Sequence, residues 1–282
     1  MKTKTLIMAA FAMLAALACN QSKDTSVDQS MYELNMPIIQ TKYTADPAPI
    51  VIGDTLYLYT SHDDDHGENF IMRDWLLYTT TDMVNWQDRG AVASLKDFKW
   101  YRNNNGAWAQ QVVERNGKFY MYCPIHGNGI SVLVADSPYG PFVDPLGGTL
   151  VWQKEHWYDI DPTVWIDDDG QAYIFWGNRY CYYAKLKENM IEIDGEITKL
   201  EFDQRWPFTE AAWVHKANGK YYLTYATGWP EKMAYAMADD INGPWAFKGL
   251  VSERAGNCNT THPAIVEHKG KTYMVTHNGT LP

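Results

Sequence analysis

Residues 161–177 read DPTVWIDDDGQAYIFWG: an acid, an apolar run, a glycine turn and a second apolar run. Two apolar runs that flank a tight turn are typical of a β-hairpin. The same arrangement occurs four more times, as DPAPIVIGDTLYLYT from Asp46, WAQQVVERNGKFYMYC from Trp108, EAAWVHKANGKYYLTYA from Glu210 and HPAIVEHKGKTYMVTH from His262. The sequence therefore carries five copies of one hairpin unit.

The spacing of these copies indicates the architecture. Successive copies lie 64, 53, 49 and 51 residues apart, measured between the turn glycines Gly53, Gly117, Gly170, Gly219 and Gly270. A period near 50 residues is typical of stacked or radial repeats. A second strand–turn–strand unit follows the hairpins, as in LLYTTTDMVNWQDRG from Leu76, ISVLVADSPYGPFVD from Ile130 and MAYAMADDINGPWAFKG from Met233. Two hairpins per repeat predict four-stranded blades, and hence an all-β fold, a five-bladed β-propeller.

The fifth copy is shorter than the others. After the strand around Tyr273 the sequence reads only HNGTLP, so the fifth blade is expected to be incomplete at the C-terminus. Two arrangements remain open at this point. Residues 38–44 could supply a strand to the blade, or its edge could be exposed.

Composition limits the class of protein and of partner. The chain has 282 residues, 46% of them hydrophobic, which is enough for one large all-β domain. Its 24 basic and 34 acidic residues give a net charge of −10, which argues against nucleic acid as a partner. Its twelve Trp and nineteen Tyr residues suit the flat faces of sugar rings, with core packing as the alternative use.

The N-terminus is predicted to be a targeting segment. Lys2 and Lys4 precede an apolar stretch at residues 6–18, as in a secretory signal. The stretch ends in Leu17-Ala18-Cys19, which resembles a bacterial lipoprotein cleavage site, with plain cleavage as the alternative. We therefore expect a signal peptide over residues 1–19, a polar tether over 20–36 and a propeller over 37–282. The protein would be exported to the cell envelope or periplasm and would contact the membrane only through a lipid on Cys19.

The remaining cysteines are Cys123, Cys181 and Cys258. They are odd in number and show no CxxC spacing, and Cys123 and Cys181 lie in strand-like runs, which favours buried thiols at these two positions over a disulfide framework or a zinc site.

The residues that lead the five copies point to chemistry. Equivalent positions of the innermost strands of a propeller face one central axis. Three acids and a histidine would then meet at one channel mouth, together with a tryptophan; the set is Asp46, Trp108, Asp161, Glu210 and His262. Like charges held close together push their pKa values apart, which suits acid and base catalysis.

The motifs TADPAP at 44–49, DIDPTVWIDDDGQAYIFWG at 159–177 and TEAAWVHKANGKYYLTYATG at 209–228 resemble glycoside hydrolase family 43. The likeness extends to YTTTDMVNW, ADSPYGPF and THPAIVEHKGKTYM, and so covers the chain from about residue 40 onward. It implies a five-bladed propeller with Asp46 as general base, Glu210 as general acid and Asp161 as the carboxylate that tunes the acid. It also implies inversion of configuration, with roughly 6.5–9.5 Å between acid and base. For any single Asp-Pro pair, the alternative is an ordinary turn residue.

The resemblance also suggests binding residues. It implies that His262 holds a calcium or other ion in the channel and contacts the substrate, with no organic cofactor. Trp108 is expected to form an aromatic wall of the sugar site, and the loop at 61–75, which ends at Trp75, to rim the pocket and bind substrate. The cluster at 62–66, HDDDH, is interpreted as a solvated loop because its spacing is not that of a metal site.

Two features depart from the family pattern. Glu210 is followed by Ala211 and Ala212 where the family usually has Gly-Pro, and the usual closing segment with its arginine does not appear in this sequence. The resulting hypothesis is an inverting exo-glycosidase that removes terminal α-L-arabinofuranosyl or β-D-xylosyl residues from hemicellulose such as arabinoxylan or xylan. The alternatives are a retaining fructan or sucrose hydrolase and a surface propeller that binds glycans without cleaving them.

Overall fold

The structure is a computed structural model that describes residues 37–154, 157–202, 205–256 and 258–278. The chain divides into a unit of Met1–Pro37 and a unit of Ile38–Pro282, and the second contains all the strands described below. The predicted signal peptide, the lipid site at Cys19 and the tether lie outside the described residues. In the described part of the chain, no helix is long and apolar enough to cross a bilayer.

The second unit consists of five antiparallel sheets, each formed by consecutive strands. Blade 1 contains β1 (Thr44–Ile52), β2 (Thr55–Asp63), β3 (Met72–Thr80) and β4 (Gln87–Ser94). Blade 2 contains β5 (Gln111–Arg115), β6 (Lys118–Pro124) and β7 (Ile130–Ala135). Blade 3 contains β8 (Thr163–Ile166), β9 (Ala172–Trp176), β10 (Tyr182–Leu186) and β11 (Ile193–Lys199). Blade 4 contains β12 (Glu210–Ala217), β13 (Lys220–Thr227), β14 (Lys232–Ala238) and β15 (Ala246–Ser252), and blade 5 contains β16 (Ala264–His268) and β17 (Lys271–Val275).

The turns of the leading hairpins follow from their sequences. In blades 2 and 4 the two turn residues are Asn-Gly, and both have positive φ: 54° and 76° at Asn116 and Gly117, 50° and 71° at Asn218 and Gly219. This is the type I′ turn, whose twist matches that of the paired strands and which favours Asn followed by Gly. The hairpins predicted from the repeat are therefore present with the turn chemistry that they require.

The five blades close into a ring. Each innermost strand contacts the innermost strands of two other blades, in the cyclic order β1, β5, β8, β12, β16 and back to β1. Buried apolar side chains fill the spaces between neighbouring blades, for example Trp75 and Met121 between blades 1 and 2, Val132 and Ile174 between blades 2 and 3, and Phe175 and Leu223 between blades 3 and 4. The all-β propeller predicted from the sequence is confirmed.

The fifth blade is smaller than the others. Among the described residues it has only two strands, and residues 38–43 form no strand beside it. Ile39 instead packs as a buried side chain in a cluster that includes Leu58 and Val266, between blades 1 and 5. The segment before β1 thus contributes a side chain, not a strand, to this part of the ring.

The three described cysteines are free thiols, with Cys123 and Cys181 buried and Cys258 half-buried. The prediction of buried thiols holds for the first two.

Candidate active site

One face of the ring gathers the predicted site residues. The innermost strands β1, β5, β8, β12 and β16 each open a blade, so their amino-terminal ends lie at the same face. Asp46 and Glu210 lie at or just inside the start of β1 and β12, while Trp108, Asp161 and His262 lie two or three residues before β5, β8 and β16. The five leading residues therefore lie near the same end of their strands, and Asp46, Asp161, Glu210 and His262 are close enough for their charges to interact.

Local backbone geometry directs the two aspartates. Asp46 and Asp161 have φ values of 51° and 54°, in the left-handed region, and each precedes a proline. The pairing of β1 with β2 is irregular between Ala45 and Ala48, on either side of Asp46. A bulge re-aims a side chain, and Asp tolerates left-handed φ better than most residues because its short carboxylate can bond locally.

Glu210 reaches the site from a position one residue earlier. In blade 4 the residue with left-handed φ is Ala211, at 59°, and the irregular pairing lies between Glu210 and Trp213. Ala211 therefore occupies the backbone position that Asp46 and Asp161 occupy in their own blades. The sequence repeat aligned Glu210 with the two aspartates, whereas the structure offsets it by one residue.

Asp46 lies among hydrogen-bond donors and histidines. The Ser61 hydroxyl donates to its Oδ2 at 2.6 Å, and Nδ1 of His262 lies 3.4 Å from its Oδ1. Nδ1 of His277 is 3.9 Å from the same oxygen and 3.4 Å from the Asp46 backbone nitrogen. Burial alone would raise the pKa of Asp46, but the histidines and Ser61 outweigh burial and lower it. Asp46 is therefore a carboxylate at neutral pH.

Glu210 has a different environment. Its Oε2 accepts a hydrogen bond from the Asn178 side-chain amide. Burial raises the pKa of Glu210; His262 opposes this shift, and the negative charge of Asp46 reinforces it. The net direction is upward, which favours the protonated form of Glu210.

Asp161 lies directly beside Glu210. It is 5% exposed, and its Oδ2 accepts the backbone N–H of Ala211 at 3.1 Å. Burial raises the pKa of Asp161 well above its usual range, and the charges of Glu210 and Asp46 add to the effect. Two buried carboxyls that repel each other cannot both ionise easily, so Asp161 and Glu210 titrate as a pair.

A fourth carboxyl group, Glu231, belongs to the same region and was not anticipated from the sequence. It is 1% exposed, in the β13–β14 loop, and its Oε2 accepts the Thr261 backbone N–H at 2.7 Å. Burial raises the pKa of Glu231 to about 9, and the charge of Glu210 contributes. Glu231 is therefore neutral at pH 7, and it ties blade 4 to the segment that carries His262.

Sequence reasoning also missed Ser61, Asn178 and His277, although a signal for them existed. In a hairpin, the end of the second strand lies beside the start of the first, as the pairing of Ala45 with Ser61 shows. Ser61 is near the end of β2, while Asn178 and His277 lie two residues beyond β9 and β17. The residues that close each Tyr-rich run were therefore candidates, just as much as those that open each hairpin.

The two tryptophans predicted to bind substrate differ in their surroundings: Trp108 has exposed aromatic neighbours, whereas Trp75 lies in the core. Trp108 makes edge-to-face contacts with Phe70, His126 and Trp157, at centroid distances of 6.5, 4.1 and 6.3 Å. Phe70 and Trp157 are 58% and 41% exposed, so this group, which we call the aromatic wall, has apolar ring surface open to a ligand.

Trp75 has a different role from the one expected. It is fully buried in the core between blades 1 and 2, and its indole N–H donates to the Trp108 carbonyl at 2.7 Å. A ring with no exposed surface cannot stack on a sugar. The expectation that Trp75 binds substrate is corrected accordingly: it holds the backbone that carries Trp108.

The predicted ion site at His262 has few protein ligands. The described residues include no group of three or more His, Cys, Asp or Glu side chains arranged to hold a metal. Nδ1 of His262 faces Asp46, so an ion there would bind the other ring nitrogen and take most of its remaining ligands from water. The ion stays a prediction. In the first-blade loop, Asp64 pairs with Arg73 and His62 with Asp74, in agreement with the interpretation of that cluster as an ordinary loop.

Known proteins are similar to this chain in sequence. The family model for glycosyl hydrolases family 43 matches residues 34–281. A xylosidase/arabinosidase of Bacteroides ovatus is 34% identical, over 86% of this chain and 87% of the relative, and a β-xylosidase of Xylanibacter ruminicola is 32% identical, over 86% and 89%.

Solved structures agree with this match. An α-L-arabinofuranosidase from Clostridium thermocellum superposes with a TM-score of 0.72 at 38% identity, covering 86% of this chain and 85% of its own. A GH43_1 enzyme from Xanthomonas citri superposes with a TM-score of 0.78 at 29% identity, covering 86% and 84%. The chain therefore belongs to glycoside hydrolase family 43.

Proposed function

We propose that the protein is an inverting exo-glycosidase that releases terminal α-L-arabinofuranosyl or β-D-xylosyl residues from arabinoxylan or xylan. The observation that carries this proposal is the opposite pKa shift of two nearby carboxyl groups. The pKa of Asp46 is lowered and that of Glu210 is raised, so one is a base and the other an acid at the same pH.

Glycoside hydrolysis by inversion needs this division. Asp46 accepts a proton from a water molecule as that water attacks the anomeric carbon. Glu210 donates its proton to the glycosidic oxygen as the carbon–oxygen bond breaks. Burial and the charge of Asp46 raise the pKa of Glu210, so that Glu210 carries the proton that it must donate.

The choice of sugar is supported by the relatives and by the aromatic wall. The Bacteroides ovatus relative is a xylosidase/arabinosidase, and the Clostridium thermocellum structure is of an α-L-arabinofuranosidase. The exposed rings of Phe70 and Trp157 beside Trp108 offer flat apolar surfaces against which the carbon-bound hydrogens of a pentose can pack.

The proposal is tested with nitrophenyl α-L-arabinofuranoside and nitrophenyl β-D-xyloside, with sucrose as the control substrate. We expect turnover of at least one nitrophenyl pentoside and none of sucrose. Proton NMR during the first turnovers should show the anomer opposite to that of the substrate. Release of the same anomer would contradict inversion, and failure to cleave either pentoside would contradict the proposed substrates.

A further inference from the structure

Asp63 lies close to the catalytic base but has had no role so far. It is the last residue of β2, two positions after Ser61, whose hydroxyl donates to Asp46. Its backbone N–H donates to the Tyr43 carbonyl at 3.2 Å, so the pairing of this hairpin continues to Asp63. Because side chains alternate along a strand, Asp63 projects from the same face of β2 as Ser61, and its charge interacts with that of Asp46.

Among the described residues, the carboxylate of Asp63 has no hydrogen-bond donor and no ion-pair partner, whereas Asp64 pairs with Arg73 and Asp74 with His62. Asp63 is nevertheless half-buried. Burial and the charge of Asp46 raise the pKa of Asp63 to about 6, although the histidines His277 and His62 lie near enough to oppose the shift. A partly desolvated acid without donors is unfavourable for the fold, which suggests that its donors come from a ligand.

We propose that the Asp63 carboxylate binds substrate by accepting hydrogen bonds from hydroxyl groups of the sugar that lies against Asp46. This inference rests on the proposed function, and it identifies Asp63 as a binding group for that function. Pentoses present adjacent hydroxyl donors, and a carboxylate can accept from two of them at once. Hydrogen bonds to a charged, partly desolvated acceptor are stronger than neutral ones.

Sugar binding can be measured without catalysis in the Glu210→Gln background. Calorimetric titration with xylobiose and with arabinose compares that protein with versions that also carry Asp63→Ala, Asp63→Asn or Glu188→Ala. Glu188 is an exposed acid of the turn between β10 and β11 in blade 3, so Glu188→Ala makes the same charge change away from the site. We expect both Asp63 variants to bind the better ligand about tenfold more weakly, and the Glu188 variant to bind it normally.

Deoxy sugars separate a direct contact from a general effect. A deoxy xyloside that lacks the hydroxyl bonded to Asp63 should bind the parent protein more weakly. Asp63→Ala should not weaken the binding of that deoxy xyloside any further, because the hydrogen bond is already missing. Unchanged affinity in Asp63→Ala, or an equal loss for every deoxy sugar, would overturn the proposal. Thermal unfolding of each variant tests for a folding defect, because lower affinity together with a lower Tm would also contradict a binding role. If the unsubstituted protein binds these sugars but cleaves none, the proposed function fails while the result for Asp63 stands.

Discussion

Each half of the site contains a buried carboxyl group, but the pKa of that group is shifted in opposite directions in the two halves. On the base side, formed by blades 1 and 5, Asp46 is surrounded by Ser61, His262 and His277. On the acid side, formed by blades 3 and 4, Glu210 has one amide donor, Asn178, and a second acid, Asp161, next to it. Burial raises the pKa on both sides, and the partners decide the net direction.

The difference shows how similar blades can give carboxyl groups with different pKa values. Blades 1, 3 and 5 each supply one residue near the start of the first strand and another near the end of the second strand. In blades 1 and 5 the second-strand residues are Ser61 and His277, which favour an anion, whereas in blade 3 it is the neutral Asn178. The residues near the ends of the second strands thus determine which carboxyl group is the acid and which is the base, more than the carboxyl groups themselves do.

The largest expected effects are losses of kcat in variants of Glu210 and Asp46, and substrates with different leaving groups distinguish the two variants. Glu210→Gln should lower kcat on natural xylo-oligosaccharides by about 10²–10⁴-fold while leaving sugar affinity intact. With a dinitrophenyl glycoside, whose leaving group departs without a proton, most of that loss should disappear. Asp46→Asn should be as damaging with either substrate, because activation of water is needed in both cases. Steady-state kinetics on the two substrates gives the comparison.

The control for this pair is Glu188→Ala, which changes an exposed acid of the β10–β11 turn in blade 3 and should leave kcat unchanged. The assignment of acid and base would be contradicted if Glu210→Gln lost the same factor in kcat on both substrates. It would also be contradicted if the dinitrophenyl glycoside restored the kcat of Asp46→Asn.

A smaller effect is expected from the carboxyl group that tunes the acid. Asp161→Asn keeps an oxygen to accept the Ala211 N–H but removes the carboxyl group that titrates together with Glu210. Glu210 must be protonated to act, so activity is lost as pH rises through its pKa. Once one acid of the pair has ionised, its charge raises the pKa of the other, so removing Asp161 lowers the pKa at which Glu210 loses its proton. The alkaline limb of the kcat profile should therefore move to lower pH, with kcat reduced roughly 10–100-fold at neutral pH. A shift of the alkaline limb to higher pH, or none, would remove Asp161 from this role.

The sequence predicts much of this arrangement because the repeat is regular. Five hairpins with glycine turns determine five innermost strands, and closure of the ring then brings Asp46, Asp161 and Glu210 together. The one-residue offset of Glu210 was not predictable from the repeat, because it depends on the left-handed φ at Ala211, a residue without a strong preference for that conformation.

Other features depend on contacts between distant segments. Glu231 lies in a loop of blade 4 and bonds to Thr261, thirty residues further along the chain. The residue type of Trp75 does not show whether it belongs to the aromatic wall or to the core, because its burial depends on how blades 1 and 2 pack. Residue type and spacing therefore located Asp46, Asp161 and Glu210, while Glu231 and the burial of Trp75 required the structure.

The smallest expected effect tests the base side. Ser61→Ala removes the 2.6 Å hydrogen bond to Asp46 but leaves both histidines in place. Asp46 must be ionised to act, so activity is lost as pH falls through its pKa. Loss of a donor raises that pKa, and the acid limb of kcat/KM should move to higher pH by less than about one unit, with only a few-fold loss at neutral pH. Ser131→Ala is the matched control, because Ser131 is a buried serine of blade 2 that donates to the Gly148 carbonyl at 2.7 Å. It should lower stability without moving the acid limb; an equal shift in both variants would mean that Ser61 acts through packing and not through the charge of Asp46.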